Sequence, residues 1–423
     1  MAVRTLRDLG FCFDLLTAAD VRTGGLRGYQ LLVIPGGWAS LKCNELGADG
    51  MEQVREFVAM GGGYLGLCGG AGLALQVDEG LGLLPVTRKP MSERLPNFSG
   101  SIRVRQTSSH PLWWGLPMET SLQVWWPSQF ELLRPEEIQV LGRYGEPESD
   151  FCVSDLNVQD TETAGINWEH LERTYEINLD PERLLNEPAV LEGCYGKGRV
   201  VLSYPHLETP GDEQGNLALF NIWYDLLETS PRVAEEGRVR LSRTASVQVD
   251  NQSLEQFRTI VQESEQLVAL GERRNLWSWR NSWLLKWKRG IRGSEFGTVQ
   301  VLLRGLVEEL ERSRVTPAFP LEPATREVAL QIGALQEIWN TFRDKAEALL
   351  EAEDAPMNGQ MIAGEVRLSD RVQELRTQLF SCVHCYGSKS YGALYRLLLD
   401  RVDSLLLTAL SASSNEKQAR GVV

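Results

Sequence analysis

The spacing of apolar positions changes along this chain, and the changes divide it. Leu31-Leu32-Val33-Ile34 is a continuous apolar run, the signature of a buried parallel strand, and Pro35-Gly36-Gly37 ends it. From Met51 to Met60 the spacing becomes helical, with Met51, Val54, Phe57 and Val58 on one face. Tyr64, Leu65 and Leu67 again read as a short buried strand, and Ala71, Leu73, Ala74 and Leu75 as the start of a helix. Val3 to Leu9 predicts a helix and Phe11 to Leu15 a strand. Strand alternating with helix predicts an α/β unit with a mostly parallel sheet and flanking helices. Farther on, Ile102–Arg105, Leu122–Trp125 and Ile138–Leu141 alternate as short antiparallel strands do. Residues 146–188 interrupt the hairpin expected between Arg143-Tyr144 and Val190-Leu191; a stretch this long inside a compact domain reads as an ordered flap. Asn216 to Leu227 predicts a closing helix.

After residue 230 the pattern shifts again. Residues 231–250 are polar and charged, a linker, and Asn251 or Ser253 is the expected N-cap of the next helix. Helical spacing then runs through Leu254–Leu270, Leu276–Lys288, Thr298–Ser313, Ala324–Glu351, Arg367–Phe380 and Tyr391–Leu410. Residues 251–423 are therefore expected to form an all-α bundle. It is expected to shape access to the first domain or to recruit a protein partner.

The chemistry starts at Gly66-Leu67-Cys68-Gly69-Gly70. G-x-C-x-G between a strand and a helix is the thiol form of the nucleophile elbow, whose crowded turn needs small residues two before and two after the nucleophile. Gly66 and Gly70 meet that need. A helix N-terminus at Cys68 favours a thiolate, and the Gly69 N–H faces a developing oxyanion. The alternative is a Gly-rich turn with an inert buried cysteine.

A second stretch bears on the choice. Gly196 to Ser203 reads as a hairpin turn and an apolar strand, followed by Tyr204-Pro205-His206-Leu207-Glu208. Gly-x-Cys-x-Gly followed much later by a strand ending in His-x-Glu resembles the class I glutamine amidotransferase-like superfamily. Within it, residues 1–230 are most similar to the domain at the N-terminus of some biotin–protein ligases. The resemblance implies a flavodoxin-like α/β fold and a Cys-His-Glu triad: Cys68 as nucleophile, His206 as base and Glu208 as the group that orients the base. The Gly69 N–H, with an N–H of Gly36 or Gly37, would supply the oxyanion hole, and Trp38 either walls a substrate pocket or covers the core. Relatives begin with a strand ahead of the first helix, and this sequence begins at that helix. Either the assigned start lies too far downstream or the strand is absent, leaving an inner sheet position to be filled otherwise or left open. No ATP-binding, synthetase or biotin-ligase motif is present, so this chain is not expected to ligate biotin.

Two functions remain. One is a cysteine-dependent hydrolase or acyl/amide-transfer enzyme acting on a small molecule; the other is a non-catalytic binding or scaffold protein that keeps the fold. A net charge of −14 argues against coating nucleic acid. No apolar run of about 18 residues suggests a membrane span. Seven scattered cysteines suggest a reducing cytoplasm rather than a disulfide framework, and Cys68 is expected to be the one fast-reacting thiol, Cys12 and Cys194 being assigned to strands. Trp113-Trp114 and Trp125-Trp126 read first as core and interface residues. Trp279, Trp283 and Trp287 share one face of the expected helix at 276–288, amid Arg273, Arg274, Arg280, Lys286, Lys288, Arg289 and Arg292. That face reads as inter-helix core before lipid or partner binding. Cys382-Val383-His384-Cys385 lacks an evident fourth ligand and reads as helix-end cysteines, so neither metal nor cofactor is expected.

Overall fold

A computed structural model describes residues 1–231, 249–288, 290–312, 323–353, 369–381 and 392–419. The chain forms two compact units, Met1–Leu241 and Ser242–Val423. The first opens with α1 (Ala2–Asp8) and α2 (Ala18–Arg22). Phe11 to Leu15 is not a strand. Gly10 turns with φ +74°, and Phe11 goes inward to stack on Trp223 at 4.4 Å, so its apolar side chains meet a helix rather than a ladder.

Next come β1 (Leu31–Ile34), α3 (Ala39–Ala59), β2 (Gly63–Leu67) and the short α4 (Gly69–Leu73). α3 contains the expected amphipathic stretch and begins earlier, with a kink at Gly47. Met51, Val54, Phe57 and Val58 are all buried. The chain continues through β3 (Val86–Arg88), β4 (Phe98–Gln106), β5 (Glu119–Trp125), β6 (Phe130–Leu132) and β7 (Gln139–Pro147). The 146–188 stretch is folded, with β8 (Cys152–Val153), β9 (Leu156–Asn157), α5 (Val158–Thr163) and α6 (Trp168–Tyr175). Phe151, Val153, Val158, Leu179 and Leu184 tie it into the core. β10 (Pro188–Tyr195), β11 (Gly198–Ser203) and α7 (Glu213–Thr229) complete the unit.

The nine-stranded sheet runs β1-β2-β11-β10-β7-β4-β8-β9, with β5 on β4. β1, β2 and β11 are parallel, and the pairings beyond β11 are antiparallel. The parallel part is narrower than the early alternation suggests. Parallel order holds where a helix carries the chain across, as α3 does, and gives way where the chain returns through a hairpin such as β10–β11. Among the described residues β1 pairs with β2 alone, and its four residues are half-buried. β2 is buried along its whole length.

The second unit holds α8 (Asn251–Arg273), β12 (Trp277–Asn281), β13 (Leu284–Trp287), α9 (Gly293–Arg312), α10 (Pro323–Glu353), α11 (Asp370–Phe380) and α12 (Ala393–Ala419). Asp250, not Asn251 or Ser253, caps α8; its Oδ1 accepts the Ser253 N–H at 2.9 Å. The helix expected at 276–288 is instead a β-hairpin, pairing Trp277 with Trp287 and Trp279 with Leu285. Asn275, at φ +53°, stops α8, and the aromatic residues then alternate with polar ones, which suits a pleated ribbon. Trp279, Trp283 and Trp287 therefore share no helix face. Trp277 is the core member, donating from Nε1 to Val268 O at 2.9 Å and packing on Phe296. Trp339, Phe342, Phe380 and Tyr395 complete that core. The 232–248 part of the expected linker, and Cys382-Val383-His384-Cys385, lie outside the described residues. Among the described residues no helix is long and apolar enough to cross a membrane, and no cluster of three His, Cys, Asp or Glu is placed to hold a metal ion.

Candidate functional site

Cys68 sits where β2 meets α4, with φ +48° and ψ −102°. A side chain rarely adopts that backbone, and it persists only where the surroundings fix it. Here they do. The Cys68 N–H donates to Ser203 O on β11 at 2.7 Å, Gly72 N–H donates to Cys68 O at 2.9 Å, and the buried Tyr64 hydroxyl donates to Gly70 O at 2.7 Å. The glycines are needed by contact. A Cβ on Gly66 would lie 2.8 Å from the Ala71 nitrogen; on Gly70, 1.9 Å from Ile34 O; on Gly69, 1.5 Å from Gly37 O. α4 is only five residues, so its dipole is a smaller influence on the thiol than the sequence suggests.

β11 ends at Ser203, and the chain turns through Pro205 to His206. Ser203 Oγ donates to Pro205 O at 2.8 Å, and His206 N–H to Gln123 O on β5 at 2.8 Å. Asn216 on α7 donates to Leu207 O and Thr209 O, and Thr5 on α1 to Glu208 O at 2.9 Å. This wiring brings Glu208 Oε1 to 2.9 Å from His206 Nδ1, both side chains being buried. A Cβ on Gly36 would lie 2.6 Å from the Cε1 of the same ring.

Burial works against a charged His206, but the Glu208 carboxylate and then Cys68 overcome it and hold the imidazole's pKa well above its ordinary value. Burial alone would raise the Glu208 carboxyl; the charge and hydrogen bond of His206 outweigh it and keep the group below its ordinary value. The Cys68 sulfur lies 3.9 Å from Trp125 O, and the buried His206 Nε2 has no oxygen or nitrogen partner, Cys68 being the group besides Glu208 whose charge and hydrogen bond act on the ring. The base therefore has its oriented nitrogen on Glu208 and an open one beside the sulfur.

Gly36, Gly37 and Gly69 are thus brought against His206 and the elbow. Trp38 caps α3 on the next turn and is half-buried. The tryptophan that meets the base is Trp125, edge-on to His206 at 6.4 Å between ring centres, with a buried Nε1–H that has no acceptor. Trp113 is core, donating to Leu141 O, and Trp114 is exposed. Lys42 is a site neighbour that motif reading misses. Its ammonium donates to Gly36 O at 2.8 Å. Burial lowers its pKa, while the charges of Cys68 and Glu208 act to raise it. A lysine six residues past the Pro35-Gly36-Gly37 turn carries no motif, so only its place near the start of α3 could have flagged it. Cys68 is 9% exposed, whereas Cys12 and Cys194 are exposed; Cys194 does lie in a strand, β10, and Cys12 does not, so a place in a strand does not shield either thiol.

Residues 27–77 match the family profile "Biotin-protein ligase, N terminal". That span contains Gly36, Gly37, Trp38, Lys42 and Cys68; His206 and Glu208 lie outside it. No curated protein matches the chain. Among solved structures, a Thermoplasma acidophilum protein named for a component of GMP synthase is 16% identical over 53% of this chain and 84% of its own, with a TM-score of 0.33. A cytoplasmic protein of Salmonella typhimurium LT2 gives 15%, 53%, 85% and 0.34. A ThuA-like protein of Bacteroides uniformis gives 14%, 54%, 84% and 0.33. Overlaps this loose decide neither fold nor function.

Proposed function

We propose that the first unit is a cysteine-dependent hydrolase or acyl/amide-transfer enzyme of amidotransferase type, acting on a small molecule. One observation carries the reading: a backbone-strained Cys68 acts by charge and hydrogen bond on a His206 whose Nδ1 is held by Glu208 and whose buried Nε2 has no oxygen or nitrogen partner. Nε2 takes the thiol proton before attack, giving the imidazolium that Glu208 favours, and Sγ then attacks a carbonyl carbon as the thiolate. The Gly69 N–H, at a helix start where it has no intrahelical acceptor, with an N–H of Gly36 or Gly37, would face the oxyanion. Imidazolium then returns the proton to the departing amine, and water or an acceptor nucleophile cleaves the thioester. Lys42 adds a positive charge near the sulfur.

The second reading is a binding protein that keeps the pocket without turnover. It draws on the resting thiol, which is buried and lies 3.9 Å from Trp125 O. Competitive alkylation decides between them. With limiting iodoacetamide near neutral pH, an activated Cys68 labels faster than the exposed Cys12 and Cys194, and His206→Ala slows it about tenfold or more. Slower labelling of Cys68 than of Cys12, with no effect of His206→Ala, leaves the binding protein.

A further inference from the structure

We propose that Arg88 and Arg94, with the hydroxyls of Ser128 and Tyr204, form a receptor for an anionic group, carboxylate or phosphate, on the molecule that Cys68 attacks. This rests on the acyl-transfer reading of the site and adds the substrate's charge to it.

The arginines are poorly partnered. Arg94 Nη1 donates to Ser128 Oγ at 2.7 Å, but its Nε and Nη2 meet only the Met91 sulfur, at 3.1 and 2.6 Å. A thioether is a weak acceptor, so most of the guanidinium fork is unspent. Among the described residues neither Arg88 nor Arg94 makes an ion pair, although the chain carries 57 acidic residues and the adjacent Lys89 has found Glu187 at 2.8 Å. Arg94 is half-buried, and both burial and the neighbouring Arg88 charge depress its pKa. Arg88 is exposed at the end of β3 and its charge reaches the half-buried Arg94, a repulsion that a bound anion would relieve.

The arrangement is also built. Leu95 N–H donates to Gln129 Oε1 at 2.7 Å, and Gln129 Nε2 to Arg183 O at 3.0 Å. Asn178, from the folded 146–188 insert, donates to Arg94 O at 2.8 Å and Met91 O at 3.2 Å. The insert thereby fixes the loop that presents Arg94, and the Glu172–Arg183 pair at 2.8 Å braces the insert.

The receptor adjoins the nucleophile. Arg88 stands opposite Phe130 in the β3–β6 ladder, and Phe130 stacks on Tyr204 with ring centres 3.9 Å apart. Tyr204 follows Ser203, the residue bonded to the Cys68 N–H. The buried Tyr204 hydroxyl has Ser128 as its hydrogen-bonding neighbour, and Arg88, Cys68 and Arg94 lie close enough to bear on its ionisation. The Tyr144 hydroxyl is buried and unbonded and feels Tyr204 and Cys68. A buried Tyr144 hydroxyl without a bond and an under-used Arg94 guanidinium beside the Tyr204–Ser128 pair are what an anionic substrate would satisfy.

The test compares two alkylating agents of similar size on the whole chain, iodoacetate and iodoacetamide, with Cys68 labelling read by mass spectrometry. Wild type should show an iodoacetate-to-iodoacetamide rate ratio at least about tenfold above that of free cysteine, from local attraction of the anion. Arg94→Gln should lower that ratio at least threefold, and Arg94→Lys should restore part of it. Inorganic phosphate and acetate serve as competitors at matched ionic strength, and the stronger one identifies the anion. A ratio equal to free cysteine, or one altered by Lys42→Met and not by Arg94→Gln, overturns the receptor. Failure of Cys68 to react with either reagent refutes the acyl-transfer reading instead. The receptor is then judged by thermal unfolding of Cys68→Ser. Phosphate or acetate should raise its melting temperature and not that of Cys68→Ser/Arg94→Gln; no difference overturns it.

Discussion

Replacing Glu208 by Gln keeps the shape of the site and removes one charge, which makes its effect calculable in sign. In the wild type, His206 is held above its ordinary pKa against the opposing effect of burial, chiefly by Glu208. A base whose pKa is raised by folding contributes stability that is complete below its unfolded value, about 6.5, and is lost as pH rises through the folded value. Glu208 is depressed despite burial, so its share is present above its ordinary value of 4.5 and is lost as pH falls through the folded value. In Glu208→Gln the largest remaining influence on His206 is burial, and the imidazole becomes neutral near pH 7. Wild-type stability minus variant stability should therefore decline above pH 6.5, with a slope approaching about 1.4 kcal/mol per pH unit, one proton's worth. Below that pH the gap should approach about 3 kcal/mol, the lower end for a buried pair that loses one member, because the amide oxygen still accepts from Nδ1. Urea midpoints of both proteins from pH 6 to 9 give the difference, with titrations common to both cancelling. Imidazole NMR reads the same event directly, since the chain has four histidines and His206→Gln assigns the signal. A flat difference from pH 6.5 to 9, or a neutral His206 in the wild type at pH 7, refutes the reasoning.

Gly70→Ala would drive its Cβ to within 1.9 Å of Ile34 O, in the backbone of β1. Overpacking against backbone that is itself in a ladder should cost about 3 kcal/mol or more and abolish selective Cys68 alkylation; a urea midpoint unchanged from wild type would show that the elbow relaxes. Asp212 caps α7, and burial pushes its carboxyl up to about 6. An acid raised by folding costs stability that sets in above its unfolded value of 3.8 and is complete above about 6, so Asp212→Asn, which keeps a good cap, should stabilise by about 1–2 kcal/mol at pH 7.5, and by progressively less as pH falls toward 3.8, measured by thermal unfolding. Glu192 on β10 joins His110 at 3.0 Å and Arg199 at 2.5 Å, and Arg199 also holds Asp225 at 2.7 Å. Glu192→Gln should cost about 3 kcal/mol with Asp225 still in place; a loss under about 0.5 kcal/mol in urea unfolding would show that the network is not needed.

Much of the first unit was legible because its signals are local. Leu31–Ile34 and Tyr64–Leu67 are runs that only a buried strand accommodates, and Gly66, Gly69 and Gly70 mark an approach of backbone to backbone that the contacts verify. Phe11–Leu15 and Leu276–Lys288 misled for one shared reason. Each has apolar and aromatic residues at spacings that fit more than one period over a short window, and tertiary neighbours decided between them. Trp223 claimed Phe11, and Val268 with Phe296 claimed Trp277. The reading of Trp279, Trp283 and Trp287 as one face depended on the helix and fell with it.

The candidate site divides along the same line. Cys68, His206 and Glu208 stand in short motifs whose spacing is itself chemical: a strained turn needs its glycines, and a base two residues before a carboxylate can fold back on it at a proline turn. Lys42, Trp125, Ser128, Arg88 and Arg94 have no such spacing. They arrive from a helix start, two strand ends and two loops, and sequence distance says nothing of their convergence. What singles them out is an unmet requirement. An indole N–H without an acceptor, a tyrosine hydroxyl buried with no bond and a guanidinium resting on a thioether are each costly by themselves. The chain carries 57 acidic residues, and among the described residues neither arginine has drawn one into an ion pair. On the proposed reading, those unmet donors specify the substrate's side of the contact: acceptor-rich and negatively charged.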